Sequence, residues 1–302
     1  MGIKWLVIKN LIFFLLPALI LITVFLIYPV IHVIYLSFID RKGNFVGFEN
    51  YIRTIFRSDV LDLIRLGRFF TKPPPYGAFI HNLLWILIHL PLTVFLGLLL
   101  AVILRNVRGA SIVKAAIFLG MIVPMVVSGI VIHFTFEEET GVVNVLLRLI
   151  GITPKSWLAY PETALYTLIL GSVWLWTGFS MIVYSAGLES IPRELYEAAE
   201  IDGATVLHKF LFITIPLLKP VTITVVTMTV LWELKIFDYV FTSTRGGPGG
   251  ATNVMALQIY HDYFVFGEPD LASALASILT LITLGIALVA LRPVLRARTA
   301  RR

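Results

Sequence analysis

Residues 190–203 read Ser190-Ile191-Pro192-Arg193-Glu194-Leu195-Tyr196-Glu197-Ala198-Ala199-Glu200-Ile201-Asp202-Gly203, and a little further on comes Ile213-Thr214-Ile215-Pro216. This charged stretch separates two apolar runs, and its reading decides what the runs are. Pro192 suits a first helical position, and Glu194 falls two residues later, near the positive end of the helix dipole. Gly203 stands where a left-handed residue stops a helix. The stretch therefore predicts a short helix of about eleven residues capped at both ends, a second short helix over 204–212, and a return to apolar sequence at Ile213. A polar insert of this length needs a role, because most connections in compact helical proteins are short.

On either side the chain is too apolar for an ordinary soluble domain. Of 302 residues, 58% are hydrophobic and 14% charged, with a mean hydropathy of +0.91; charged residues usually make up about a quarter. Six apolar runs, at residues 11–38, 79–104, 112–136, 164–187, 213–240 and 271–291, match the roughly 20 residues a helix needs to cross a hydrocarbon layer of about 30 Å. The expectation is an all-α polytopic membrane protein with six transmembrane helices in a single domain over 1–302. The first run, preceded by Lys4 and Lys9, is too long for the apolar part of a secretory signal. No small-x-small cleavage site follows it, so it reads as an uncleaved helix.

An even number of spans puts both ends on one side. Taking that side as cytoplasmic, the inner segments hold 13 Lys and Arg and the outer segments 10. Seven of the outer ones lie in the first outer loop, over 39–78, and without it the bias is 13 to 3. The insert at 188–216 then faces the cytoplasm. Part of the first outer loop, with Val60, Leu61, Ile64 and Leu66 among Asp59, Asp62, Arg65 and Arg68, reads as an amphipathic helix on the outer surface. Pro17, Pro29, Pro91 and Pro124 fall inside the spans, where neighbouring helices and water can satisfy the freed carbonyls.

Several chemistries are excluded. There is no cysteine, so no disulfide, Fe–S cluster or thiol nucleophile. Six histidines are scattered without HxxxH or HExxH spacing. The net charge of +6 owes most to Arg292, Arg296, Arg298, Arg301 and Arg302 beside the last span, which read as a cytoplasmic anchor rather than a nucleic-acid surface. Gly246-Gly247-Pro248-Gly249-Gly250 lacks the Gly-Lys-Ser/Thr ending of a phosphate loop and reads as a tight turn.

By themselves the residues of the insert fit two readings. Ala198 and Ala199 carry no bulk, and Glu194, Glu197 and Glu200 recur at three-residue spacing. That suits a surface another protein approaches closely, and equally a solvated helix lying at the membrane. The pattern Glu197-Ala198-Ala199, three residues, Gly203, nine residues, Ile213-x-x-Pro216 resembles the EAA loop of integral-membrane permeases of binding-protein-dependent ABC importers. The departure is Ile215 where that pattern has Leu. Phe237-Asp238-Tyr239, Thr242, Gly246-Gly247-Pro248 and Thr252 are similar to the segment after the fifth span in carbohydrate-importer permeases of the maltose- and glycerol-phosphate type. Phe45-Val46-Gly47-Phe48-Glu49-Asn50-Tyr51 resembles that subfamily's first external loop.

The resemblance, which covers roughly residues 10–292, implies a type I ABC importer permease fold in the cell membrane with both termini cytoplasmic. It implies four partners besides the lipid: a second homologous permease, two copies of an ABC ATPase, and an extracytoplasmic sugar-binding protein. ATP and Mg would be bound by the partner ATPase, with no cofactor on this chain and no bond made by it; no Walker A sequence occurs here. The implied cargo is a carbohydrate of the di- or oligosaccharide class, trehalose- or maltose-like, with glycerol phosphate or another small polar solute as the alternative. The implied ATPase-coupling residues are Glu194, Glu197, Ala198, Ala199, Asp202, Gly203, Ile213 and Pro216. An ion-coupled secondary transporter, the rival of another class, would need a relay of buried carboxylates and an internal repeat, and neither is evident. A membrane-embedded enzyme would need clustered His, Asp or Glu at the membrane face, and the dense acidic cluster is the insert itself.

Aromatic faces beside hydroxyls suit a pyranose, which has an apolar face and a polar rim. Trp174, Trp176 and Ser180 in the fourth span, with Thr177 and Tyr184 nearby, are candidates on that ground, against plain packing. Glu233, Asp238 and Tyr239 at the outer end of the fifth span complete the candidate substrate pathway, and Lys235 and Asp238 are spaced to pair on one helical face. His32, His81, His89 and His133 read as packing or interfacial residues, and Glu137-Glu138-Glu139 as a solvated turn.

Overall fold

Hydrocarbon offers backbone groups no water to pair with, so apolar runs close their hydrogen bonds within helices. The computed structural model, which describes residues 2–69 and 71–299, follows that rule throughout. In chain order, α1 (Gly2–Ile22) and α2 (Tyr28–Leu36) are joined by a π-helical turn, and α3 (Glu49–Ile55) and α4 (Leu63–Leu66) are short. Then come α5 (Ala78–Ile103), α6 (Ala110–Ile122), α7 (Met125–Thr135), α8 (Val142–Leu149) and α9 (Pro161–Glu189). After these follow α10 (Arg193–Ile201), α11 (Val206–Lys209), α12 (Ile215–Leu217), α13 (Lys219–Leu234), α14 (Asp238–Thr244), α15 (Met255–Tyr260) and α16 (Pro269–Thr299).

Among the described residues, Ile12–Leu36, Ala78–Ile103, Pro161–Glu189 and Pro269–Leu291 are long and apolar enough to cross a membrane, and two bent pairs raise the number to six when each counts as one span. The span expected over 112–136 is one of those pairs. α6 and α7 meet at 101° because Val123 turns to an extended conformation (ψ 129°) ahead of Pro124, as residues before proline tend to do. The span expected over 213–240 bends by 63° at Leu218 and its helix ends at Leu234. Pro17 and Pro91 lie within α1 and α5.

The amphipathic surface helix expected around Val60–Leu66 is confined to the four residues of α4. Val60 is buried instead. Its carbonyl accepts from Phe79 N at 3.0 Å, and the Asp59 carbonyl accepts from Ala78 N at 2.9 Å. The loop thus folds back to satisfy donors that the first turn of α5 leaves open.

The chain divides into two compact units. In the first, Met1–Phe56 with Ile259–Thr280, the rings of Phe38, Phe45, Phe48 and Tyr51 cluster, and Asn50 Nδ2 donates to the carbonyls of Ser37 (3.0 Å) and Ile39 (2.9 Å). Arg41 pairs with Glu268 at 2.8 Å. In the second, Arg57–Gln258 with Leu281–Arg302, α5 lies against α9. They approach closely at Gly97, where a Cβ would collide with Ser180 Cβ, an example of small residues letting membrane helices touch. Ala101, Met181, Tyr184, Leu188, Leu218 and Val225 form the core beside that crossing. His81 is buried and bridges two backbones, accepting from Tyr76 N at 2.9 Å and donating to the Asn253 carbonyl at 2.7 Å. Arg301 and Arg302 of the basic tail lie outside the described residues.

Candidate functional site

The insert forms α10, nine residues that start one position after the expected first residue, with Pro192 as the N-cap. Glu194, Glu197 and Ala198 share one face at i, i+3 and i+4 and are exposed, and Ala199 is partly so. The helix stops as its sequence demands. Gly203 takes φ +75°, Gly203 N donates to the Glu200 carbonyl at 3.0 Å, and Ala204 N donates to the Ala199 carbonyl at 2.8 Å. This paired closure needs a left-handed residue, which glycine adopts without strain. Asp202, the C-cap, is exposed.

The other face of α10 is anchored. Tyr196 Oη hydrogen-bonds Thr214 Oγ1 at 2.9 Å, and the Arg105 guanidinium lies 5.2 Å from the Tyr196 ring centroid. Ile213 packs on the core below, whereas Pro216 is exposed. The second short helix expected over 204–212 is α11 continued by a π-helical turn, tied back to α10 by the ion pair of Lys209 and Glu200. Ile201, Val206 and Phe212 are 88%, 81% and 72% exposed. Together with the carboxylates they make a mixed apolar and acidic surface of the kind that meets another protein.

At its far end α13 runs into a cavity of about 250 Å³ lined by Met121, Met125, Trp176, Trp232, Lys235, Ile236, Phe237, Asp238 and Tyr239. The rings of Trp176 and Trp232 have centroids 6.2 Å apart at 60° and form two sides of an aromatic corner. Tyr239 is buried and its hydroxyl donates to the Leu168 carbonyl at 3.2 Å. Lys235 and Asp238 are exposed. They form no ion pair with each other, against expectation, because the helix ends at Leu234 and they stand on opposite sides of the turn. The volume falls below the roughly 300–1,000 Å³ of sites for drug-sized ligands, so the cavity fits one small ring at a time.

Of the predicted pathway residues, the cavity brings together Trp176, Asp238 and Tyr239. It leaves out Trp174, which is half exposed and packs on Gly120, and Ser180, which is buried at the α5–α9 crossing. Glu233 is buried and pairs with His89. Trp232, Met121 and Met125 are additional lining residues. Met121 and Met125 flank the break at Pro124, and that proline was their sequence signal. Trp232 meets Trp176 across helices, which no local pattern shows. His133 holds the Ser243 carbonyl at 2.9 Å, and the Glu137 carboxylate caps its own turn through the N–H groups of Glu139 and Thr140. Those hydrogen bonds hold Glu137 below the usual carboxylate range.

Residues 93–301, which include α10 and the cavity, match the profile of the binding-protein-dependent transport system inner membrane component family. The chain belongs to that family. It is similar to a probable ABC transporter permease protein of Pyrococcus horikoshii, 54% identical over 276 residues that cover 90% of this chain and 93% of the relative. It is also similar to the trehalose/maltose transport system permease protein of Thermococcus litoralis, 31% identical over 92% of this chain and 90% of the relative. Among solved structures, it resembles a chain of a bacterial ABC transporter involved in the import of the acidic polysaccharide alginate. The TM-score is 0.80 at 26% identity, over 97% of this chain and 98% of that one.

In this inner membrane component the two candidate surfaces lie at opposite ends of α13. Its 16 residues separate the cavity from the α10 region by about 24 Å of helix axis. A single helix, α13, therefore runs between the exposed α10 region and the cavity.

Proposed function

We propose that this permease forms half of the pathway of an ATP-driven importer for a carbohydrate of the di- or oligosaccharide class, and that α10 passes on the motion of a partner ATPase. The observation that carries the reading is the pairing along α13: an aromatic corner of Trp176 and Trp232 with Lys235 and Asp238 at one end, and an exposed capped helix at the other. Indole faces suit the apolar face of a sugar ring. Lys235 and Asp238 supply a donor and an acceptor for its hydroxyls. The substrates named for the trehalose/maltose and alginate transporters support a saccharide over another polar solute.

The partners in this reading are a second homologous permease, two ATPase copies seated against Glu194, Glu197, Ala198 and Ala199, and an extracytoplasmic binding protein at the cavity end. Both termini then face the cytoplasm. ATP and Mg belong to the ATPase, and this chain makes and breaks no bonds. The test is ATPase stimulation of the purified complex by its binding protein loaded with a panel of di- and oligosaccharides. Stimulation by a saccharide is expected. Stimulation by glycerol phosphate alone would reassign the cargo, and transport that persists without ATP would remove the reading altogether.

A further inference from the structure

Where α5 ends, a second cavity of about 260 Å³ opens between α6, α9 and the start of α10. Its polar lining is Arg105, Lys114, Arg193, Glu189 and Ser185, three cations against one carboxylate. Lys114 and Arg193 have no ion-pair partner among the described residues. Arg105 spends one N–H on the Leu188 carbonyl at 3.3 Å, leaving most of a five-donor fork. Ser185 Oγ lines the cavity, is buried, and has no hydrogen-bond partner, which is costly for a hydroxyl unless a ligand or solvent meets it. The same three helices also carry exposed apolar side chains, among them Ile103 on α5, Ile112 on α6 and Ile182 on α9. A positive, hydroxyl-bearing pocket is therefore built on helices that also carry apolar surface, a combination that suits a phosphate among the cations with acyl chains along the helices.

We propose that this cavity binds a phosphate-bearing anion, supplied by the headgroup of an anionic phospholipid. The phosphate would accept hydrogen bonds from Arg105, Lys114, Arg193 and Ser185 Oγ. The exposed apolar surface of the helices that build the pocket favours a lipid over free phosphate as the source.

The full chain, purified in mild detergent and mixed with equal phosphatidylglycerol and phosphatidylcholine, is examined by native mass spectrometry for retained lipid. Preferential retention of phosphatidylglycerol is expected. Lys114→Gln and Arg193→Gln should each weaken it roughly fivefold, and the pair about 25-fold, while Lys114→Arg preserves it and reports on folding. Equilibrium dialysis of delipidated protein against labelled inorganic phosphate forms the second arm. Phosphate binding that the double variant loses, without lipid preference, would keep the site and change the source. No phosphatidylglycerol preference together with no phosphate binding overturns the proposal. So does a double variant that keeps its lipid and loses a partner protein, because the cations would then serve a protein carboxylate.

Discussion

His89 Nδ1 donates to Glu233 Oε1 at 2.5 Å, with both side chains buried. Two helical turns away along α5, Asn82 Nδ2 donates to the Glu233 carbonyl at 2.8 Å, and its Oδ1 accepts from Met255 N at 2.8 Å. The His89 ring also stands edge-on to Trp176, with centroids 5.3 Å apart. Polar contacts thus hold the last turn of α13 against α5 right behind the cavity.

Cutting the pair should loosen that turn. Glu233→Ala leaves a buried imidazole N–H without an acceptor and is expected to cost about 1–3 kcal/mol. Glu233→Gln keeps an acceptor and should retain most of the stability. Thermal unfolding midpoints in detergent decide the matter, and an alanine variant as stable as the parent would deny the pair a structural role.

The cavity makes a graded prediction for transport. Trp176→Ala, Trp232→Ala and Asp238→Ala should each reduce sugar uptake, the tryptophans by about 1–3 kcal/mol of binding by analogy with stacking on planar ligands. Trp174→Ala, outside the cavity, should leave uptake near normal. Uptake and complex assembly are measured in the same membranes. A parallel fall of both would make these residues packing elements.

Glu197 is exposed on the outward face of α10. Glu197→Lys should abolish co-purification of the ATPase while the chain stays folded, since juxtaposed like charges at a close contact cost several kcal/mol. A pull-down with normal ATPase recovery would leave Glu197 merely solvated.

Nothing lies within 4 Å of where a Cβ on Gly203 would project, so a side chain there meets open space and only the backbone at φ +75° objects. Gly203→Val should strain the turn by roughly 1–2 kcal/mol and impair uptake with the chain still in the membrane. Gly203→Asn, a residue that tolerates the left-handed region, should be milder. Equal uptake by the valine variant and the parent would dissociate the cap from coupling.

Ser190 and Ser58 are both exposed, and the chain has no cysteine to interfere. Ser190→Cys should resist an impermeant thiol reagent added outside intact cells, whereas Ser58→Cys should react. Labelling at position 190 from outside would invert the topology and take the ATPase reading of α10 with it.

Much of this was legible because it is decided locally. Apolar length, not partner choice, makes a run a helix in hydrocarbon, and the ends of α5 and α9 fall within three residues of the expected spans. α10 was legible for the same reason, since Pro192 and Gly203 act through their own backbones on the turns that contain them.

What only the tertiary structure decided is where helices stop for the sake of others, and which side chains then meet. Pro124 could have been an ordinary kink, as Pro91 is within α5. In the folded chain it is a 101° break that brings Met121 and Met125 to the cavity. α13 ends at Leu234, short of the expected end of its span at residue 240, which sets Lys235 and Asp238 apart. Trp176 and Trp232 lie 56 positions apart in the sequence and meet through helix packing that depends on contacts such as the close approach at Gly97. Side chains drawn from several helices leave no periodic trace in any one of them, so α10 could be read residue by residue and the cavity could not.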